Sequence, residues 1–186
     1  LIEGFGFVDI SGLTPKTPNR IGVNLRYCGI VNIDKSLSYD VGYVKNDQGY
    51  ANSPTSPGGL SFGYGFLASY CYCLNFFNNH IYAGWHGLDA ARGVSVCNAY
   101  SNTLHKGTYG ISSHEGNWEL NVYGNFILGG SLVTSRSFEL IVKDNIRSAI
   151  RPSAITGLAS MQHIVIDNNN FESSPLTPTN FVYLDG

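Results

Sequence analysis

Residues 86–130 read HGLDA ARGVSVCNAY SNTLHKGTYG ISSHEGNWEL NVYGNFILGG. Within this stretch Gly87 and Gly110 stand 23 residues apart, as do Asn102 and Asn125, and Asn79 precedes Asn102 by the same 23. Working outward, segments open at Ser61, Trp85, Thr108, Ser131, Ala154 and Thr177, spaced by 24, 23, 23, 23 and 23 residues. Gly65 joins the glycine series; Asn145 and the run Asn168-Asn169-Asn170 continue the asparagine series less regularly. Each segment holds a short apolar strand, among them 94–96, 120–122, 140–142 and 164–166, then an Asn-containing bend and a second apolar patch. Such a repeat of short strands, with no helical segment and no leucine-rich frame, predicts an all-β fold: a right-handed parallel β-helix, or solenoid, with rungs of about 23 residues. One rung cannot bury its apolar face alone, so equivalent positions stack on the rungs above and below. Asn at the bends suits left-handed backbone geometry, and its amide can hydrogen-bond from rung to rung.

Composition agrees. The 186 residues include 22 Gly and only 13% charged residues, with 43% hydrophobic and 13% aromatic. This excludes helical bundles and coiled coils, rich in Ala, Glu, Lys and Leu, and it excludes disorder. A net charge of −2 and a pI near 6.2 lack the basic footprint of a nucleic-acid binder. No apolar run reaches the length of a membrane span. The chain, opening on Leu1, reads as a single β-helix domain or fragment over 1–186, with 45–60 a projecting loop of little apolar content.

Four cysteines, Cys28, Cys71, Cys73 and Cys97, lack zinc-ligand spacing and are expected as free thiols acting as small hydrophobes. Alternation in Tyr-Cys-Tyr-Cys-Leu predicts Cys71 and Cys73 on one face of a strand. Reduced thiols suit folding in a cytoplasm. No cofactor and no metal site are expected, since no dense Asp cluster marks one.

The lines His86-Gly87-Leu88-Asp89-Ala90, Tyr109-Gly110-Ile111-Ser112-Ser113-His114-Glu115-Gly116 and Asp167-Asn168-Asn169-Asn170-Phe171 resemble the pectate-lyase-like superfamily of right-handed parallel β-helices. Within it the chain looks most like a segment of a bacteriophage tailspike or tail appendage protein, over its last two-thirds. The resemblance implies a virion protein, homotrimeric and folded in the host cytoplasm, that acts outside the cell on a bacterial surface polysaccharide: capsule, lipopolysaccharide or teichoic acid. The superfamily holds hydrolases, lyases, epimerases and non-catalytic adhesive spikes, so the reaction stays open.

Aligning Gly87 with Gly110 sets Asp89 opposite Ser112, Ala91 opposite His114 and Arg92 opposite Glu115, with Arg136 near His114 on the next rung. Glycoside hydrolysis needs two carboxyl groups, about 5 Å apart for retention and roughly 6.5–9.5 Å for inversion. Asp89 and Glu115 are the expected catalytic pair, His114 an alternative base, and Arg92, Arg136 and His86 the substrate-binding set. A lyase would instead use His114 as base, with Arg92 or Arg136 neutralising a uronate. The bland alternative is an ordinary Arg92–Glu115 surface ion pair beside histidines that edge a turn. Trp85 and Trp118 are candidate sugar-stacking platforms. Glu119, Glu139 and Lys143 are expected on a solvated outer face. Val94, Val96, Leu120, Val122, Ile141, Ile164 and Ile166 are expected inside the coil, with Phe62, Phe66, Phe76, Phe77, Phe126 and Phe138.

Overall fold

A computed structural model describes residues 1–14, 21–41, 64–83, 86–105, 109–114, 116–128, 131–149, 155–157, 161–173 and 182–184. The expected loop 45–60 lies outside these residues, as do Phe62, Trp85 and Glu115. Among the described residues every regular element is a strand, and all strand pairs are parallel.

Three sheets wind the chain into a β-solenoid. The first stacks Ile2–Glu3, Ile21–Arg26, Tyr64–Ser69, His86–Arg92, Tyr109–Ser113, Ser131–Ser135, Ile155–Gly157 and Val182–Leu184. The second stacks Phe7–Ser11, Ile30–Asp34, Cys73–Phe77, Val96–Tyr100, Glu119–Tyr123, Glu139–Lys143 and His163–Asp167. The third stacks Leu37–Val41, His80–Ala83, Thr103–His105, Phe126–Leu128, Ile146–Ala149 and Asn170–Ser173. Val96 pairs with Glu119 and Tyr109 with His86, which fixes the 23-residue rung.

Alternation along each strand sends every second side chain into the coil. In the second sheet the inward columns are Val8, Val31, Leu74, Cys97, Leu120, Leu140, Ile164 and Ile10, Ile33, Phe76, Ala99, Val122, Val142, Ile166. Full burial of each large aliphatic side chain contributes roughly 1.5–3 kcal/mol. Val94, Leu120 and Val122 are buried as expected, and Ile164 and Ile166 hold inward register while half-buried. Val96 and Ile141 depart from expectation. They occupy outward positions, because their strands read iBiBi with Cys97 and Ala99, or Leu140 and Val142, taking the inside. Phe66 and Phe76 fill the coil, packed edge to face, whereas Phe77, Phe126 and Phe138 sit outside, where Phe77 stacks on Tyr100. Cys71 and Cys73 do not share a strand face: Cys71 is a buried corner residue and Cys73 opens the following strand facing outward. All four thiols are free, and burial pushes those of Cys71 and Cys97 up.

The two corners flanking the second sheet both use the left-handed backbone region. Among the described residues, every one with positive φ falls in one of two columns: Gly4, Tyr27, Tyr70, Gly93, Gly116 between the first and second sheets, and Gly12, Lys35, Asn78, Ser101, Gly124, Asp144, Asn168 between the second and third. The second column corrects the expected role of asparagine. The residue that turns the backbone precedes the stacked one. Buried Asn79, Asn102, Asn125 and Asn145 follow it, and each accepts on Oδ1 the backbone N–H of the equivalent residue one rung earlier (Ser36, Asn79, Asn102 and Asn125, at 2.8–3.0 Å). The glycine series has a different cause. A Cβ on Gly87 would lie 2.7 Å from the Gly110 carbonyl oxygen, and one on Gly65 2.5 Å from that of Gly87.

Candidate functional site

The outer face of the first sheet brings together three of the expected site residues, Asp89, Arg92 and His114. Tyr64, Leu67, Ser69, Asp89, Ala91, Arg92 and His114 line an open groove of about 360 Å³. Asp89 forms its floor. Its strand neighbours Leu88 and Ala90 point into the core, so alternation turns Asp89 outward, yet the side chain is only 1% exposed. As expected from the rung alignment, Ser112 is its partner one rung later, and the Ser112 hydroxyl donates to Asp89 Oδ1 at 2.6 Å. His114 Nε2 meets the same oxygen at 3.2 Å. Two donors therefore converge on one buried carboxylate oxygen, the usual way of keeping a buried charge tolerable.

This geometry fixes the chemistry of His114. The contact of Nε2 with the carboxylate orients the ring and favours the tautomer with its proton on Nε2. His114 is partly exposed, at the groove wall, where a substrate proton could be reached. Ser112 bonds Asp89 rather than the imidazole, so the three do not form the serine–histidine–carboxylate relay of acyl transfer. Among the described residues Asp89 is the only carboxylate lining the groove; its expected partner Glu115, and with it the Arg92–Glu115 ion pair, lies outside them.

His86 has a different station from the one expected. It is buried beneath the groove, stacked on Tyr64 with centroids 5.3 Å apart and edge-on to His114 at 6.3 Å. Burial pulls its pKa down to about 4 against the attraction of Asp89, with His114 adding a smaller downward push. His86, expected among the substrate-binding residues, is thus held between the Tyr64 and His114 rings with its neutral form favoured by burial. Tyr64 was missed in the sequence. It is the partner of His86 one rung earlier, so the 22-residue step back from His86 was the available signal. Burial, and then the Asp89 charge, push its hydroxyl pKa up.

Arg92 is exposed at the rim. Arg136 lies one rung beyond His114, since His114 N–H donates to Ala90 and Arg136 N–H to Ser113 at the same corner. Arg136 lines a second depression of about 260 Å³ with Gly116, Asn117, Trp118 and Phe138. There Trp118 is 55% exposed and stacks on Phe138, with centroids 4.5 Å apart and rings 12° from parallel. Trp85, the other expected platform, lies outside the described residues. The strip thus runs from a buried carboxylate and its imidazole, past a guanidinium, to an exposed aromatic plate.

Glu119, Glu139 and Lys143 take outward positions on the second sheet, as expected, none of them fully buried. Among the described residues no three His, Cys, Asp or Glu side chains gather as a metal cluster, and no helix is long and apolar enough to cross a membrane. Compared with known protein families, curated proteins and solved structures, the chain matches none.

Proposed function

We propose that this solenoid binds a bacterial surface polysaccharide along a strip from the outer face of its first sheet to the start of its second and hydrolyses it. The observation that carries the reading is the Asp89–His114 pair in an open groove beside the Trp118–Phe138 plate. Sugars offer apolar ring faces that stack on exposed aromatic side chains whose surroundings also hydrogen-bond. His114, oriented by Asp89, activates water as general base, and Glu115 supplies the acid. Arg92 and Arg136 bind anionic groups of the polymer. On this reading the chain is a tailspike-type protein, which the sequence resemblance implies works as a homotrimer on a virion outside the cell.

A second reading draws on the same imidazole. With His114 as base and guanidinium groups nearby, the groove also suits abstraction of the proton α to a uronate carboxylate, the first step of a lyase or epimerase. Incubation with capsular, lipopolysaccharide and teichoic-acid polymers separates the readings. New reducing ends without absorbance in the unsaturated-uronate band support hydrolysis. Both together support a lyase, and binding with neither assigns the chain to adhesion. Asp89→Asn and Glu115→Gln are each expected to lower cleavage by at least ~100-fold. Near-full activity in both variants would overturn the catalytic assignment.

A further inference from the structure

A second constellation lies on the outer face of the second sheet, away from the groove. Its central column is Asp9, Asn32, Asn75, Asn98, Asn121, Ile141 and Val165. The four asparagines form a directed ladder: Asn75 Nδ2 donates to Asn32 Oδ1 at 2.8 Å, Asn98 to Asn75 at 2.9 Å and Asn121 to Asn98 at 2.9 Å. Asn121 Nδ2 also donates to Glu119 Oε1 at 2.5 Å. These two bonds fix the amide orientation, since a flip would set oxygen against two acceptors. With Nδ2 turned to the earlier rung, Oδ1 faces the later one.

Among the described residues nothing there donates to it. The residue opposite on the later rung is Ile141, and Asn121 Oδ1 is buried with no hydrogen-bond partner although the residue is only 5% exposed. An unsatisfied buried acceptor is rare in folded proteins and calls for a partner, an ion being one that fits. Its flanks are acceptors too. Glu119 lies two residues away on the same face, and Glu139 is the direct ladder partner of Glu119. Like charges directly opposite on neighbouring strands, about 4.8 Å apart, destabilise a sheet. The nearby cations do little to relieve them: His163 Nδ1 stands 3.9 Å from Glu139 Oε1, beyond hydrogen-bond reach, and Lys143 Nζ is 3.9 Å from Asp167 Oδ2.

We infer that Glu119, Glu139 and Asn121 Oδ1 form a calcium site joining two consecutive rungs. Three oxygens of hard character, two of them anionic, supply part of the six to eight ligands Ca²⁺ takes, with water completing the shell. The burial of Oδ1 limits the occupant to a small ion and excludes a sugar. Two carboxylates at a partly exposed site correspond to the weak, extracellular class of calcium sites, with Kd of roughly 10⁻⁴–10⁻³ M. The ion neutralises the opposed carboxylates and ties the rung of 119–123 to that of 139–143.

The test uses terbium as a calcium surrogate, excited through tryptophan, because Trp118 adjoins Glu119. The full chain is expected to give saturable sensitised emission that Ca²⁺ displaces. Glu119→Gln and Glu139→Gln should each weaken terbium binding at least tenfold, while Asp167→Asn on the same face leaves it unchanged. Circular dichroism checks that each variant keeps the β spectrum, and Ca²⁺ should raise the Tm of the natural chain but not of either glutamine variant. Absence of saturable emission, equal emission in both glutamine variants, or an equal loss in Asp167→Asn would overturn the site. Polysaccharide cleavage plays no part in these readouts, so they stand apart from the proposed groove chemistry.

Discussion

Asn102 is the most informative single position for the forces holding the coil. Its side chain is 1% exposed and makes four hydrogen bonds. Oδ1 accepts from the Asn79 backbone N–H and Nδ2, both at 3.0 Å, while Nδ2 donates to the Phe76 carbonyl and Asn125 Oδ1, both at 2.9 Å. In Asn102→Ala two of the four partners keep another contact: Asn79 Nδ2 still reaches the Ile33 carbonyl, and Asn125 Oδ1 still accepts the residue 102 backbone N–H. The Asn79 N–H is left buried without its acceptor, costing about 1–3 kcal/mol, and the lost bonds add about 1 kcal/mol each before relaxation. A loss of about 3–4 kcal/mol follows, read from urea denaturation by circular dichroism. Asn102→Asp is sharper. It keeps both acceptances but turns both donations into acceptor–acceptor contacts and buries a charge. At pH 7 it should be less stable than the alanine variant. Its carboxyl would have a folded pKa above the unfolded one, so the penalty is full above the folded pKa, fades as pH falls from there to the unfolded value near 3.9, and is gone below it. An alanine variant within ~0.5 kcal/mol of the natural chain, or an aspartate variant more stable than alanine at pH 7, would refute the ladder as a source of stability.

Three further outcomes are expected. His86 titrates near 4 when folded and near 6.5 when unfolded, so its contribution is complete above pH 6.5 and is lost between 6.5 and 4, about 3 kcal/mol in all; His86→Gln should flatten that part of the stability–pH profile. Gly87→Ala drives a methyl against the Gly110 carbonyl oxygen at 2.7 Å and Leu104 Cδ2 at 3.0 Å, and should lower stability by roughly 1–3 kcal/mol, measured as a fall in the urea midpoint. Ser101→Gly relieves a residue held at φ 55° and should stabilise by up to about 1 kcal/mol; a lower Tm would contradict the corner reading.

What the sequence disclosed follows from what stacking demands. A side-chain bond passed from rung to rung needs a group that both donates and accepts at each equivalent position, which the amides of Asn79, Asn102 and Asn125 supply, so they recur at fixed spacing. The same holds for Gly65, Gly87 and Gly110 beneath a neighbouring carbonyl. Facing was harder to read. In Val96–Tyr100 and Glu139–Lys143 apolar residues occupy both parities, so periodicity alone did not tell Val96 from Cys97 or Ile141 from its neighbours. In the groove, rung alignment brought Asp89 to Ser112 because both follow an aligned glycine. The burial of His86 escaped notice because it depends on the Tyr64 ring one rung earlier.

The two asparagine columns point in opposite directions. At the corner, Asn79 donates to Asn102, Asn102 to Asn125, Asn125 to Asn145 and Asn145 to Asn169, toward the C-terminal rungs. On the outer face Asn121 donates to Asn98, Asn98 to Asn75 and Asn75 to Asn32, toward the N-terminal rungs. Each column is a string of aligned amide dipoles in which every bond polarises the next. Like a helix, a single string would build opposite partial charges at its two ends. Set antiparallel, the two strings oppose each other's field over the rungs from Asn75 to Asn125 that they share, so the axial side-chain dipole of that stretch is smaller than either string alone would build.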